Sequence, residues 1–334
     1  MGKRVELPLV KPFYSTYHPQ GTAGAIIGAN PSVRNWFLNE AVNLRCTNWF
    51  LRGYTTPDIN IVGSSWTEIP HIEDRWISMR FHKGYINAVI REMLDNGYYV
   101  YFNGVDDFYV DGKSWYKERH FDHDGMICGY DQENKTYCLY AYDSKWLYSK
   151  FWTPQRAFNL GRKKSKHTDF FDQYIYGLKV KDDVVTFSPQ KALERIEEYL
   201  DSSFEKYPTE GDKTVYGIVV QDYIVMYLQR LYDGSIPYER MDRRVFRLIW
   251  EHKRGMLERI ERIEQALELE PVFSRRYEPL VKQAHTMRMV YAVHHKKRRD
   301  SVLPVIQKQL EELSKEEKII LGELLKKAKG VEQV

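Results

Sequence analysis

Thiols are scarce in this chain. There are three Cys among 334 residues, Cys46, Cys128 and Cys138, and none has a paired spacing. That excludes a disulfide framework and a Cys-x-x-Cys zinc motif. No apolar run approaches the ~18 residues of a membrane-spanning helix. Met1–Pro12 is too short, and too broken by charge and Pro, to be a signal peptide. A cytoplasmic protein without a membrane partner is expected. A Gly-rich phosphate loop with Lys-Ser/Thr, a kinase-like signature and a metal-ligand cluster are also missing, so neither ATP activation nor a metal site is expected. Nor is there a strong charge imbalance: a formal charge of +4 is too small to imply a nucleic-acid partner. The two richest basic runs, "GRKKSK" (Gly161–Lys166) and "HHKKRRD" (His294–Asp300), read as solvated loops or helix ends.

Tyrosine is what the chain has in plenty, with 25 copies alongside 8 Trp. Such rings bury well and keep a polar tip, so they suit a deep amphipathic cleft as well as a core. Apolar residues at 43% and charged ones at 29% are ordinary globular proportions. The length fits one large domain or two packed ones.

The pattern changes character near Ser188-Pro189. Before it, helices and strands alternate. Pro31–Cys46 and Gly84–Gly97 carry apolar residues at helical spacing. "YYVYFNGVDDFYVDG" is β-rich around two Gly turn signals. "GMICGYD" and "TYCLYAYD", separated by "QENK", read as an antiparallel pair. "QYIYGLKV" and "VVTF", ending at Phe187, read as a second hairpin. After Pro189 the chain is almost wholly helical, most clearly over Asp242–Glu270. The expected class is α+β, with a first domain over 1–188 and a helical one over 189–330.

The stretch "HFDHDGMICGYD" (His120–Asp131) carries the chemistry. His123 sits at the mouth of one strand, and the partner strand ends at Asp143. Two antiparallel strands joined by a short turn place those two ends side by side. A carboxylate there can accept the imidazole N–H, fix its tautomer and stabilise the imidazolium. His120 and Asp122 read as residues of the approach loop. A base needs a nucleophile, ideally a thiol at a helix amino terminus, where the dipole lowers its pKa. Cys128 and Cys138 fall inside strands. Cys46 falls at the carboxyl end of the Pro31–Cys46 helix, where the dipole would raise its pKa, and stands as the remaining alternative for the nucleophile.

The run "HDGMICGYD…YDSKW" resembles the histidine and aspartate strands of papain-like cysteine enzymes. It is closest to the family of the butirosin biosynthesis protein H N-terminal domain, which includes polyamide-assembling acyltransferases. "NWFLNEAVNLRC", "NGYYVYFNGVDDFYV" and "IWEHKRGML" are similar to further segments of that family. The resemblance implies a papain-like fold: an antiparallel sheet with an amino-terminal helix, followed here by an all-helical region. It also implies a catalytic Cys at the start of the first helix. The matching stretch, Tyr17–Pro31, has no Cys. Ala23 is the position where one is expected, vacated by natural loss or by design, with His18, Thr22 and Ala25 as neighbouring alternatives. Gln20 resembles the oxyanion-stabilising glutamine of such enzymes.

If the resemblance holds, the chemistry is acyl transfer through a Cys-His-Asp triad, with Gln20 worth ~3 kcal/mol at the oxyanion. The donor expected is an acyl or peptidyl thioester on a phosphopantetheine carrier protein, with no other cofactor. The acceptor expected is a small-molecule amine or diamine, as in thiotemplated nonribosomal peptide biosynthesis. Trp36, Tyr130 and Trp146 are candidates to line a dry cleft, and "GRKKSK" is a candidate docking element for an acidic carrier. A hydrolase (peptidase or thioesterase) would share every triad residue. A catalytically silent binding protein would keep the fold without the thiol. The long helices permit a homodimer.

Overall fold

The computed structural model describes residues 2–52, 56–78, 84–166, 174–202, 214–297 and 301–331. Its strands are β1 (Arg4–Glu6), β2 (Leu44–Thr47), β3 (Ile59–Ile61), β4 (Ile72–Ser78), β5 (Tyr99–Asp106), β6 (Asp122–Asp131), β7 (Thr136–Tyr142), β8 (Tyr148–Pro154), β9 (Tyr174–Val180) and β10 (Thr214–Tyr216). Its helices are α1 (His18–Gly28), α2 (Trp36–Glu40), α3 (Ile86–Asp95), α4 (Gln155–Lys164), α5 (Pro189–Asp201), α6 (Val220–Tyr232), α7 (Arg244–Ala266), α8 (Val272–Lys297) and α9 (Val302–Val331). The class is α+β, as the pattern of elements suggests. Among the described residues no helix is long and apolar enough to cross a membrane.

Two compact units divide the chain. One comprises Met1–Arg34 with Ser65–Val184, the other Asn35–Ser64 with Val185–Val334. The break near 185 falls close to the expected Ser188. The segment 35–64, expected with the first half, instead belongs to the helical unit.

In the first unit the sheet order is β4-β9-β5-β6-β7-β8, and β1 pairs with β6. Each pairing is antiparallel. One face of the sheet is closed by α3, whose Ile86, Ile90 and Leu94 recur at helical spacing and meet Val100, Phe102, Ile127, Leu139 and Ile175. Phe158 of α4 joins the same core. At ~1.5–3 kcal/mol per fully buried apolar side chain, this core fixes the strands over their middles. Their ends are then free to hold polar groups in place.

The second unit is built mainly from α5–α9, with a small antiparallel sheet ordered β10-β2-β3. Ser188 caps α5 by accepting the Lys191 N–H at 3.2 Å, and Pro189 follows in the first turn. Inside this unit Lys253 and Glu317 form a fully buried pair at 2.5 Å. Glu317 also accepts from Tyr199, Gln221 and Tyr277.

Several local expectations need correction. Pro31–Cys46 is not one helix: its helical part is the five-residue α2, and Cys46 lies in β2. The β-branched and aromatic residues that follow favour the small sheet instead. The strand β9 pairs with β4 and β5 rather than with Val184–Phe187, which runs as irregular chain. For the first basic run the helix-end reading is the one that holds, since Gly161–Lys164 is the last turn of α4. In the second basic run His294 is buried on α8, and Arg298–Asp300 lie outside the described residues.

Candidate active site

His123 is the second residue of β6. On its β5 side the register pairs Val105 with His123 and Asp106 with Asp122. A bulge between Phe102 and Val105, with Gly104 at φ 62°, interrupts the ladder, which resumes at Val105. The chain then turns through Asp107–Tyr109, and the Asp107 N–H donates to the Phe121 carbonyl at 3.0 Å. That turn carries the Asp107 carboxylate to the imidazole of His123: Nδ1 and Oδ2 are 3.0 Å apart. Ser114 Oγ donates to the same oxygen at 3.2 Å. Lys113 Nζ lies 3.0 Å from the other oxygen and donates to the Asp124 carbonyl at 2.8 Å. Neither Lys113 nor the Asp107 side chain is exposed to solvent, whereas the His123 side chain keeps 20% of its surface in water.

The other ring nitrogen of His123 faces α1. His18 is the first residue of that helix, followed by Pro19, and its Nε2 is 3.2 Å from His123 Nε2. The two rings meet edge to face, with centroids 4.5 Å apart. Gly21 makes the placement possible. A Cβ there would come within 2.5 Å of the Tyr148 ring, whose hydroxyl donates to the His18 carbonyl and bonds Thr22 Oγ1. Tyr142 packs edge-on against His18 and parallel to His123.

Charge sets the protonation of this row. Burial pushes the Asp107 carboxyl up, but Lys113 and His123 more than offset it, so it lies below the usual carboxylate range. His123 is held below the ordinary imidazole range, first by burial and then by Lys113, against the upward pull of Asp107 and Asp124. A neutral His123 that donates Nδ1–H to Asp107 leaves Nε2 as an acceptor. In that tautomer the contact between the two imidazoles needs its hydrogen on His18 Nε2. The order is donor, base and orienter, with a cation behind the orienter.

A second His–Asp pair lies alongside. His120 Nδ1 is 2.8 Å from Asp106 Oδ2, and the His120 ring stacks on Phe108 with centroids 4.2 Å apart. The Asp106 carboxylate also accepts the Phe108 and Phe121 N–H groups. This pair pins the loop between Asp106 and Phe121. Gly161 contributes from α4, since a Cβ there would meet the Asp106 carbonyl at 2.8 Å.

The residues singled out in the sequence divide between those this site gathers and those it does not. His123 is in it. Asp143 is not the orienter: its carboxylate accepts the Lys145 and Leu147 N–H groups at 2.8 and 3.0 Å and the Ser149 hydroxyl at 2.6 Å. Those bonds close the turn between β7 and β8. Ala23 and Ala25 are fully buried within α1, and Thr22 bonds Tyr148. The helix-start position facing the base is His18. Gln20 is buried two residues after His18 rather than ahead of it. Cys46 is buried in the other unit, where burial pushes its thiol far up. Cys128 and Cys138 are buried in β6 and β7.

The expected cleft residues disperse as well. Trp36 lies in the helical unit, where its Nε1–H donates to the Gly63 carbonyl at 2.9 Å. Tyr130 packs in the sheet core, with its hydroxyl on Asp95 at 2.8 Å. Trp146 is 40% exposed on the turn after β7 and lies edge-on to Trp115. Asp122 accepts the Lys166 N–H, which ties the chain after α4 to the start of β6. Among the described residues no group of three or more His, Cys, Asp or Glu is arranged to hold a metal ion. Asp107 and Lys113 went unnoticed in the sequence, although "DD" at 106–107 and "H-x-x-H" at 120–123 are the two halves of a doubled His–Asp pairing.

No family model matches this sequence, and no curated protein matches it significantly.

Proposed function

We propose that this chain is an acyltransferase of papain-like design that joins a carrier-bound acyl thioester to an amine, with His18 standing where such enzymes hold a thiol. One observation carries the reading. The first residue of α1 meets the Nε2 of His123, whose Nδ1 is held by the buried Asp107. This is the order of nucleophile, base and orienter that acyl transfer requires. An imidazole can take the acyl group, because N-acylimidazoles are activated toward amines.

In the reaction His123 accepts the Nε2 proton of His18 as that imidazole bonds the acyl carbon through a ring nitrogen. The proton then passes to the departing thiolate. The amine attacks next, and its proton passes through His123 back to His18 Nε2 as the bond between the acyl carbon and His18 breaks, which restores both imidazoles to neutral. Backbone N–H groups at the start of α1, with Gln20 close by, are candidates to stabilise the oxyanion. The donor of this proposal is a phosphopantetheine thioester on a carrier protein, and the acceptor is a small amine or diamine. Arg162, Lys163 and Lys164 in the last turn of α4 suit an acidic carrier.

A second reading, a silent binding protein, draws on the burial of all three cysteines. Mass spectrometry of the chain with an acyl-carrier thioester and an amine separates the possibilities. Amide product that is lost in His18→Ala supports the proposal. Free acid identifies a hydrolase, and unchanged thioester a silent scaffold.

A further inference from the structure

We propose that Lys113 is a positioning residue that fixes the direction of the hydrogen bond between His18 and His123. A lysine with no solvent exposure carries a large desolvation cost. Here its ammonium meets two acceptors, the Asp107 carboxylate at 3.0 Å and the Asp124 carbonyl at 2.8 Å. It touches neither imidazole by hydrogen bond, so it acts through Asp107.

The groups that face His123 are few. They are His18 from α1, Asp107 and Lys113 from the segment after β5, Asp124 beside it on β6, Tyr142 from β7, and Phe121 at the loop's end. Without Lys113 the local charge is that of two carboxylates, Asp107 and Asp124, and both favour imidazolium. A charged His123 holds hydrogen on both ring nitrogens and donates to His18. The dyad then runs backwards, and His123 cannot take the proton that His18 must lose. With Lys113 in place the Asp107 charge is balanced, His123 stays neutral, and the hydrogen stays on His18 Nε2. The cation keeps the base available as a base, while Asp107 still orients the ring.

The consequence for catalysis rests on the acyl-transfer reading, but the direction of the hydrogen bond is measurable without it. In Lys113→Met, which keeps the aliphatic stem and removes the charge, the NMR titration midpoint of His123 should shift upward. The acid limb of the kcat/KM profile should move upward with it. Lys113→Arg should leave both near wild type. Should Lys113→Met fail to fold, the unaltered chain still decides. At neutral pH its imidazole ¹⁵N spectra should show His123 with hydrogen on Nδ1 alone and His18 with hydrogen on Nε2. An unmoved or lowered midpoint in Lys113→Met, or a wild-type His123 that carries hydrogen on Nε2 at neutral pH, overturns the proposal.

Discussion

At the residue scale Asp107, which orients His123, and Asp143, which was expected to, have different work, and substitution should separate them. Asp107 is buried and bonds Nδ1. Asp107→Asn should lower acyl transfer by two or more orders of magnitude, because the wrong tautomer is then favoured. Asp143 closes a turn, so Asp143→Asn should change kcat less than about threefold and show mainly as a lower melting temperature. Steady-state rates and thermal melts of the two variants check this. Each acid directly follows a strand paired with β6, so the strand pattern by itself does not distinguish them. It does not say which side the ring turns toward. That is settled by the bulge at Phe102–Val105, which advances Asp107 to the imidazole, and by Ser149, which draws Asp143 away.

At the element scale α1 was expected through the resemblance alone, as a helix within Tyr17–Pro31 that starts near Ala23. Ala23 looked like the vacated position because small residues follow it. The helix begins five residues earlier, with Pro19 in its first turn. The β6–β7 hairpin was legible because apolar runs flank a turn. The strand β9 was assigned the wrong partner, because pairing across β4 and β5 is non-local and leaves no short-range signal. In the helical unit, Ser188→Ala should cost ~1 kcal/mol through loss of the α5 cap, read by denaturant unfolding. Ser188→Asp should restore it.

At the scale of the whole molecule, stability should depend on buried titratable groups in the helical unit. His252 is fully buried and donates its Nε2–H to the Val42 carbonyl at 2.7 Å. Burial, and then Lys253, push its pKa from 6.5 down to about 3. The unfolded chain binds a proton near pH 6.5 that the folded chain refuses until about pH 3. Stability from this group is therefore complete above pH 6.5 and is lost as pH falls, by about 2 kcal/mol at pH 5. Urea unfolding of wild type and His252→Gln across pH 4–7 should show the slope flattened in the variant. The Lys253–Glu317 pair makes a sharper case. Lys253→Met leaves a buried carboxylate without its cation and should cost about 3–5 kcal/mol. Adding Glu317→Leu removes the unpaired charge but strands the donors Tyr199, Gln221 and Tyr277, so it should recover only part of that loss. Neither effect is visible in composition, where these residues count only as part of an ordinary charged fraction.

The most direct test of the central arrangement is to place a thiol at the start of α1. We expect His18→Cys to be alkylated by iodoacetamide at neutral pH, with a thiol pKa well below the ~8.5 of free cysteine. That reactivity should be lost when His123→Ala is added, and Ala23→Cys should stay unreactive in its buried position. An ordinary thiol pKa at position 18, indifferent to His123, would contradict the placement of His18 as the residue His123 serves.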